Sequence, residues 1–266
     1  MTDFRARCLA GGSVLGTFVS IPHPVAVEVT ASAGPDFVCI DWEHAQIARD
    51  AIENLVRASD VRGVPAMVRV PGHAPEAVAA VLDAGAQGVL IPRVSTAAQA
   101  ALAVKAARYP PVGERGVGPG RAAGYGYRIP EYLSRANAET VVAVQVETAE
   151  GLANVDAIAA TPGVDVIFVG PGDLSVSLAA IGPAGAERLA AAIEIILAAA
   201  QRHGKVAGIF CPGSAEVGRW AERGARFFVV ASDAMFLGGA AGATVAEARK
   251  LTADLGGAKG RRRKRS

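Results

Sequence analysis

Residues 141–175 read VVAVQVETAEGLANVDAIAATPGVDVIFVGPGDLS. They hold two apolar runs that are typical of buried β-strands, Val141–Glu147 and Asp165–Gly170. A segment of roughly a dozen residues with helical character separates the two runs. A strand, a helix and a second strand in this order form a βαβ unit, and its two strands must run parallel.

A carboxylate follows each of these two predicted strands. Glu147 closes the first strand, and Asp173 comes after the second strand and the turn Gly170-Pro171-Gly172. Because the carboxyl ends of neighbouring parallel strands lie on one edge of the sheet, the two side chains can meet there. Two hard oxygen ligands on one edge predict a divalent metal site with open positions. The alternative is a pair of helix-capping or loop carboxylates that never meet.

The same alternation of strand and helix runs through the whole chain. The predicted strands are Ser13–Ser20, Phe37–Trp42, Ala66–Val70, Gly88–Val94, Val141–Glu147, Asp165–Gly170, Val206–Phe210 and Phe227–Ser232. The predicted helices are Pro24–Ser32, Ala48–Ser59, Pro75–Ala84, Thr96–Arg108, Ala149–Ala160, Glu187–His203, Ser214–Arg223 and Ala243–Asp254. Eight such units in about 250 residues predict a (β/α)8 TIM barrel. A doubly wound open sheet is the alternative, but no GxGxxG loop follows the first strand.

The domain organisation that we predict is one barrel over residues 1–256 and a disordered basic tail over residues 257–266. The last eight residues carry six positive charges and no acid, whereas the chain as a whole carries a net charge of +2. The body is therefore mildly acidic, which argues against nucleic acid as a partner. The stretch Pro110–Pro130 is long and irregular, as functional loops often are.

The cysteine count and the hydropathy pattern predict a cytoplasmic protein. The three cysteines are odd in number and widely spaced, which argues against a disulfide framework. No apolar run reaches about 18 residues, so we expect no membrane span, and the first residues lack the apolar region of a signal peptide.

Polar side chains near the carboxyl ends of the predicted strands are the candidates for an active site, since TIM barrels place their chemistry there. His44 follows the second strand, beside Asp41 and Glu43. Arg69 and Gln145 lie inside apolar strands, where a polar group is costly unless it is paired or used. We therefore predict that His44, Arg69 and Gln145 are functional.

The lysines decide between two ways of activating a carbonyl group. A Schiff-base enzyme needs a lysine beside the reacting carbon. The five lysines fall on predicted helices, before a strand or in the tail: Lys105, Lys205, Lys250, Lys259 and Lys264. A carbonyl activated on this barrel would therefore depend on a metal ion instead.

Seven short motifs, in this order and spacing, resemble those of one enzyme family over about residues 13–240. They are Asp41-x-Glu43-His44, Val68-Arg69-Val70, Leu82-Asp83-Ala84-Gly85-Ala86-Gln87-Gly88, Ile91-Pro92-Arg93-Val94, Tyr109-Pro110-Pro111-x-Gly113-x-Arg115-Gly116, Gln145-Val146-Glu147 and Gly170-Pro171-x-Asp173-Leu174-Ser175. The chain resembles the class II, metal-dependent pyruvate aldolases of the hydroxy-oxo-acid aldolase/citrate lyase family. Within that family the motifs are most similar to those of 4-hydroxy-2-oxoheptanedioate and 2-dehydro-3-deoxyglucarate aldolases.

The resemblance implies a (β/α)8 barrel of the phosphoenolpyruvate/pyruvate type and a role for each matching residue. Glu147 and Asp173 would hold Mg²⁺, Mn²⁺ or Co²⁺, with no organic cofactor. Arg69 and Gln145 would line the keto-acid site. The backbone N–H groups around Gly172 and Asp173 would face the carboxylate of pyruvate.

The resemblance also implies an acid/base pair and an assembly. His44, coupled to Asp83, would move the proton, although spacing alone makes Asp83 an ordinary surface acid. The family is usually a homohexamer, a trimer of dimers that exchange their last helices. The loop Pro110–Arg128 would help to build the subunit contacts and the entrance to the site.

The function expected from these residues is reversible retro-aldol cleavage of a 4-hydroxy-2-oxo acid to pyruvate and an aldehyde. Ala179 stands where many members of the family have glycine, in a segment that helps to form the aldehyde pocket. One alternative is an acyl-CoA lyase of the malyl- or citryl-CoA type, which would need a basic patch for the CoA phosphates. The other is a catalytically silent barrel that acts as a binding module.

Overall fold

A computed structural model describes residues 4–262 of the chain, with side chains described as far as residue 253. Eight strands close into a barrel in chain order, and each is parallel to its neighbours. The strands are β1 Val14–Val19, β2 Phe37–Asp41, β3 Ala66–Arg69, β4 Gly88–Ile91, β5 Val141–Val146, β6 Val166–Val169, β7 Val206–Cys211 and β8 Phe227–Ser232. The predicted (β/α)8 TIM barrel is confirmed.

Helices surround the barrel and alternate with the strands. They are α1 Phe4–Leu9, α2 Pro24–Ser32, α3 Arg49–Val61, α4 Pro75–Asp83, α5 Ala97–Ala107, α6 Ile129–Glu139, α7 Ala149–Ala153, α8 Val155–Ala159, α9 Pro171–Ser177, α10 Ala186–Arg202, α11 Ser214–Glu222 and α12 Asp233–Arg262. Short 3-10 turns at Arg121–Ala123 and Pro183–Gly185 complete the regular structure.

Apolar side chains form two packed layers because strand residues alternate between the two faces of the barrel wall. The inner layer fills the barrel with large side chains that include Phe37, Phe168 and Phe227. The outer layer joins the opposite strand faces to the helices and consists mainly of valine, isoleucine, leucine and alanine. The barrel interior is therefore a core, and space for a ligand exists only at its ends.

The structure differs from the sequence prediction mainly in its helices. The helix predicted over Ala149–Ala160 is divided at Asn154, and α1, α6 and α9 were not predicted. The last helix starts at Asp233 rather than Ala243, although Gly238, Gly239 and Gly242 lie within it. Glycines lower helix propensity by about 1 kcal/mol each, which is why the sequence pattern hid this part of the helix.

The C-terminal helix reaches the segment for which the sequence predicted a disordered tail. Its backbone continues to Arg262, while residues 263–266 lie outside the described part of the chain. The disorder predicted for that end therefore stays a prediction. Within residues 4–262, no helix is both long enough and apolar enough to cross a membrane.

Candidate active site

A buried ion pair between neighbouring strands forms the floor of the barrel mouth. The strand register places Asp41 of β2 beside Arg69 of β3. Nε of Arg69 donates to Oδ1 of Asp41 at 3.0 Å, and Nη2 donates to Oδ2 at 2.8 Å. The guanidinium also stacks on the ring of Phe18 from β1, 4.3 Å from its centroid. This two-point pairing fixes the orientation of the only charged group on β3.

Glu43 and His44 follow β2 at the same mouth. The backbone N–H groups of both residues donate to Oδ1 of Asp41 at 3.2 Å, so Asp41 also shapes this turn. The Glu43 side chain is 11% exposed, and its Oε2 lies 3.4 Å from Nε of Arg69. His44 is 56% exposed, with Nε2 3.6 Å from Oε2 of Glu43. The imidazole is thus open to a substrate or to a neighbouring molecule.

The Glu147 carboxylate directly after β5 is buried and held at both oxygens. Oε1 accepts a 2.8 Å hydrogen bond from the backbone N–H of Arg93, and Oε2 accepts one from Nε2 of Gln145. Arg93 has a positive φ of 53°, which is uncommon outside glycine and aims its N–H at this carboxylate. A Cβ at Gly170 would overlap Oε2 of Glu147, so the lack of a side chain at Gly170 leaves space for the Glu147 carboxylate.

Asp173 lies in the first turn of α9, which starts directly after β6. It is exposed, and it lines a cavity of about 280 Å³ together with Arg69, Gln145, Gly170 and Gly172. The structure therefore brings together, around one cavity, the predicted substrate residues and one of the two predicted metal ligands. Glu147 packs against the wall of this cavity through Gln145 and Gly170.

The charges of this site act on one another. Burial raises the pKa of Glu147, while the hydrogen bonds from Gln145 and Arg93 lower it and the charges of Glu43 and Asp173 raise it further. Burial also raises the pKa of Glu43, whereas the charge of Arg69 lowers it. Burial lowers the pKa of Arg69, but the hydrogen bonds and charge of Asp41 outweigh it, so this guanidinium stays charged.

These oxygen atoms fit a hard divalent cation. Oε2 of Glu43 and Oε1 of Gln145 are buried and have no hydrogen-bond partner, and neighbouring carboxylates raise the pKa of both Glu43 and Glu147. A nearby cation would relieve both conditions. No group of three or more His, Cys, Asp or Glu ligands gathers within the described residues. The protein would thus supply one or two carboxylates and leave the other positions to substrate and water, as is usual for Mg²⁺.

Asp83 does not meet His44 within one chain. It is the last residue of α4, which runs back from the mouth, and β4 begins shortly after it at the opposite end of the barrel. Its Oδ1 accepts a 2.6 Å hydrogen bond from Nη2 of Arg115, whose side chain is fully buried. The guanidinium of Arg115 also lies 4.6 Å from the ring centroid of Tyr109. Any coupling between Asp83 and His44 requires two copies of the chain.

The structure adds supporting residues that the sequence prediction did not assign to the site. They are Phe18, Asp41, Glu43, Arg93 and Gly170. Asp41 was detectable, since a buried arginine inside a strand requires an acid and Asp41 ends the neighbouring strand. The role of Arg93 was not detectable, because it rests on a backbone conformation that the sequence does not reveal.

Comparison with known proteins identifies the family. The family described as HpcH/HpaI aldolase/citrate lyase matches residues 15–239. The 5-keto-4-deoxy-D-glucarate aldolase of Klebsiella pneumoniae is 38% identical over 86% of this chain and 90% of its own length. The 4-hydroxy-2-oxovalerate aldolase of Novosphingobium aromaticivorans is 36% identical over 97% of this chain and 98% of its own length.

A solved structure agrees with these sequence matches. The HpcH/HpaI aldolase/citrate lyase family protein from Burkholderia cenocepacia J2315 superposes with a TM-score of 0.88. It is 37% identical, and the alignment covers 94% of this chain and 100% of that protein. The relatives are named as aldolases, enzymes that make or cleave a carbon–carbon bond. The chain belongs to the HpcH/HpaI aldolase/citrate lyase family.

Proposed function

We propose that this protein is a metal-dependent aldolase that reversibly cleaves 4-hydroxy-2-oxo acids to pyruvate and an aldehyde. The observation that carries the proposal is the set of groups around the mouth: Glu147, Asp173, Gln145 and the Asp41-paired Arg69. The set combines oxygen ligands for a cation with one fixed guanidinium. The names of the related aldolases support the same reaction type.

Glu147 and Asp173 are the residues that would hold the metal ion, and Mg²⁺, Mn²⁺ and Co²⁺ all suit two carboxylate ligands. A divalent ion bound there would supply Lewis-acid polarisation of the 2-oxo group. Gln145 and the N–H of Arg93 hold the Glu147 carboxylate in place for this purpose. Such supporting contacts commonly matter for metal affinity.

Arg69 and the start of α9 would bind the substrate itself. Arg69 uses Nε and Nη2 to hold Asp41, which leaves its remaining N–H groups for the oxygen of the developing enolate. The backbone N–H groups of Gly172 and Asp173 lie in the first turn of α9, where no preceding turn accepts their hydrogen bonds. They are placed to bind the carboxylate of a 2-oxo acid.

His44 would move the proton. In the cleavage direction it takes the proton of the C4 hydroxyl group, the C3–C4 bond breaks, and the electron pair passes to the enolate of pyruvate. A proton then returns to C3 and completes pyruvate. The exposure of the imidazole at the mouth supports this role.

Asp83 would tune His44 from a neighbouring protomer, which makes a homo-oligomer part of the proposal. Apolar side chains exposed along α12 also support an assembly, among them Phe236, Leu237 and Leu251. The hexamer implied by the family resemblance, with exchanged last helices, would cover them. The buried free thiols of Cys39 and Cys211 support a reducing compartment such as the cytoplasm.

Release of pyruvate from 4-hydroxy-2-oxovalerate tests the proposal. We expect activity with Mn²⁺ or Mg²⁺, loss after EDTA treatment and recovery when the metal is restored. Glu147→Gln should lose activity, whereas the control Glu150→Gln, at an exposed position in α7, should retain it. Full activity after thorough metal removal, or in Glu147→Gln, would contradict the proposal.

A further inference from the structure

We propose that the aldehyde partner of this enzyme is uncharged, a short aliphatic or hydroxylated aldehyde rather than one that carries a second carboxylate. The inference rests on the proposed function, because it concerns the part of the same cavity that pyruvate does not occupy. Three observations support the inference: the side chains that line this part of the cavity, the hydrogen bonds that they already make, and the charge of the site.

The wall away from Glu147 is formed by β1, β7, β8 and the start of α12. Its apolar members are Phe18, Phe210 and Met235, and the last of these is 45% exposed. The rings of Phe18 and Phe210 pack together, with centroids 5.7 Å apart. These side chains offer an aldehyde substituent a nonpolar surface.

Two hydroxyl groups complete this wall, and both already have partners. Oγ of Ser20 donates to Oδ1 of Asp233 at 2.7 Å, so its free capacity is to accept a hydrogen bond. Oγ of Ser232 accepts from the N–H of Met235 at 3.2 Å, so its own hydrogen remains available. One acceptor and one donor on the same wall suit a neutral hydroxyl group and are poor partners for a carboxylate, which accepts only.

No free cation faces this wall among the residues described around the cavity. Arg69 is the basic side chain of the lining, and its two-point pairing with Asp41 and its stacking on Phe18 hold it in place. We assign its remaining donors to the keto acid. A second carboxylate would have to give up its hydration without gaining a charged partner, which is costly.

The charge of the site opposes a second carboxylate as well. Asp41, Glu43, Glu147 and Asp173 surround the mouth against the one guanidinium of the described lining. A divalent ion together with the carboxylate of pyruvate adds only one net positive charge. An anionic substituent would therefore enter a site that is already negative, whereas a neutral one would not be repelled.

Two aldehydes that differ only at the far end test the inference. Butanal carries a methyl group where succinic semialdehyde carries a carboxylate. Their kcat/KM values for aldol addition to pyruvate would be measured with the Mn²⁺-loaded enzyme. We expect butanal to be preferred by about tenfold or more, since the site leaves the carboxylate unpaired. A smaller preference, or a preference for succinic semialdehyde, would overturn the inference.

Exchange of the C3 hydrogens of pyruvate in D2O, followed by NMR without any aldehyde, separates this inference from the proposed function. Exchange together with a preference for succinic semialdehyde overturns the inference alone. A folded, Mn²⁺-loaded enzyme that shows neither exchange nor aldol addition overturns the proposed function and the inference with it.

A charge-introducing variant tests which wall meets the aldehyde. Met235→Lys places a cation at the half-exposed position of that wall, so the preference for butanal over succinic semialdehyde should fall by about tenfold or more. Ser134→Lys adds the same charge on the exposed surface of α6 and should keep the wild-type preference. An unchanged preference in folded Met235→Lys would contradict the assignment of this wall.

Discussion

The pair of Asp41 and Arg69 shows how single residues set the chemistry of this barrel. Both side chains are about 10% exposed, and the pair is bidentate. Burial alone would favour loss of the arginine's charge, yet its pKa lies above the ordinary value because Asp41 holds it. Asp41 thus keeps a fixed positive charge at the mouth.

Replacing Asp41 by asparagine should lower the free energy of unfolding by about 3 kcal/mol, because the buried guanidinium loses its bidentate counter-charge and keeps only the longer contact with Glu43. Urea unfolding measures the change. The control is Glu139→Gln, which removes the exposed ion pair with Arg135 and should cost less than about 1 kcal/mol. Similar costs for the two variants would show that the buried pair has no special role.

Ala179 is a second residue whose conformation matters. It has a φ of 50° and follows the end of α9, where its N–H bonds to Val176 and the N–H of Ala180 bonds to Ser175. This is a Schellman motif, whose left-handed position favours glycine. The departure from the family pattern noted at Ala179 therefore falls on a strained position.

Ala179→Gly should raise the free energy of unfolding by about 1 kcal/mol, because it removes the left-handed strain of a Cβ-bearing residue. Thermal unfolding is the measurement. The adjacent Ala180→Gly change is the control and should destabilise the protein, since Ala180 is buried. A lower melting temperature for Ala179→Gly would refute the strain argument.

Among the elements, the junction of β6 and α9 depends on one glycine. Gly170 lets this junction approach the Glu147 carboxylate at the mouth. Gly170 lies against the Glu147 carboxylate, and a Cβ at this position would lie only 2.7 Å from Nε2 of Gln145. Directly after it, α9 begins with Pro171 and presents the amides of its first turn. A larger residue would push the junction away from Glu147.

Gly170→Ala should weaken Mn²⁺ binding by about 10–100-fold, because the methyl group displaces a carboxylate that its surroundings hold in place. Isothermal titration calorimetry with Mn²⁺ measures the affinity. Gly213→Ala is the control, since a Cβ there meets nothing within 4 Å. Wild-type affinity in a folded Gly170→Ala protein would rule out this role.

The strands were the elements most readily predicted from the sequence. The run Val141–Val146 is mostly apolar and β-branched, and both faces of this strand are buried. The sequence pattern did not reveal α12, which contains glycines, as a helix over its full length. It also did not reveal α9, which begins directly after the turn at Gly170. The backbone conformation of Arg93 could not be derived from local pattern, since it depends on closure of the barrel.

At the scale of the whole molecule, chain topology separates two residues that the family resemblance couples. His44 lies at the mouth and Asp83 at the other end of the same barrel. The sequence contained this information, because the C-terminus of a helix that follows a parallel strand points away from the mouth. Under the proposed function, one chain supplies the residues for the metal and the keto acid, and we expect a second chain to complete the proton transfer.

Complementation between variants tests this arrangement. His44→Ala and Asp83→Asn should each lose most pyruvate release, and a mixture of the two after subunit exchange should regain part of it. The regained activity comes from sites that combine the intact His44 of one chain with the intact Asp83 of another. If verified mixed oligomers stay as inactive as the single variants, Asp83 does not act across subunits.

The central claim is that Glu147 and Asp173 bind one divalent ion where pyruvate binds. Anomalous diffraction from crystals grown with Mn²⁺ and pyruvate tests it most directly. We expect a manganese peak within coordination distance of both carboxylates, with pyruvate beside it and beside Arg69. An active enzyme whose manganese peak lies elsewhere, or touches neither Glu147 nor Asp173, would refute this assignment.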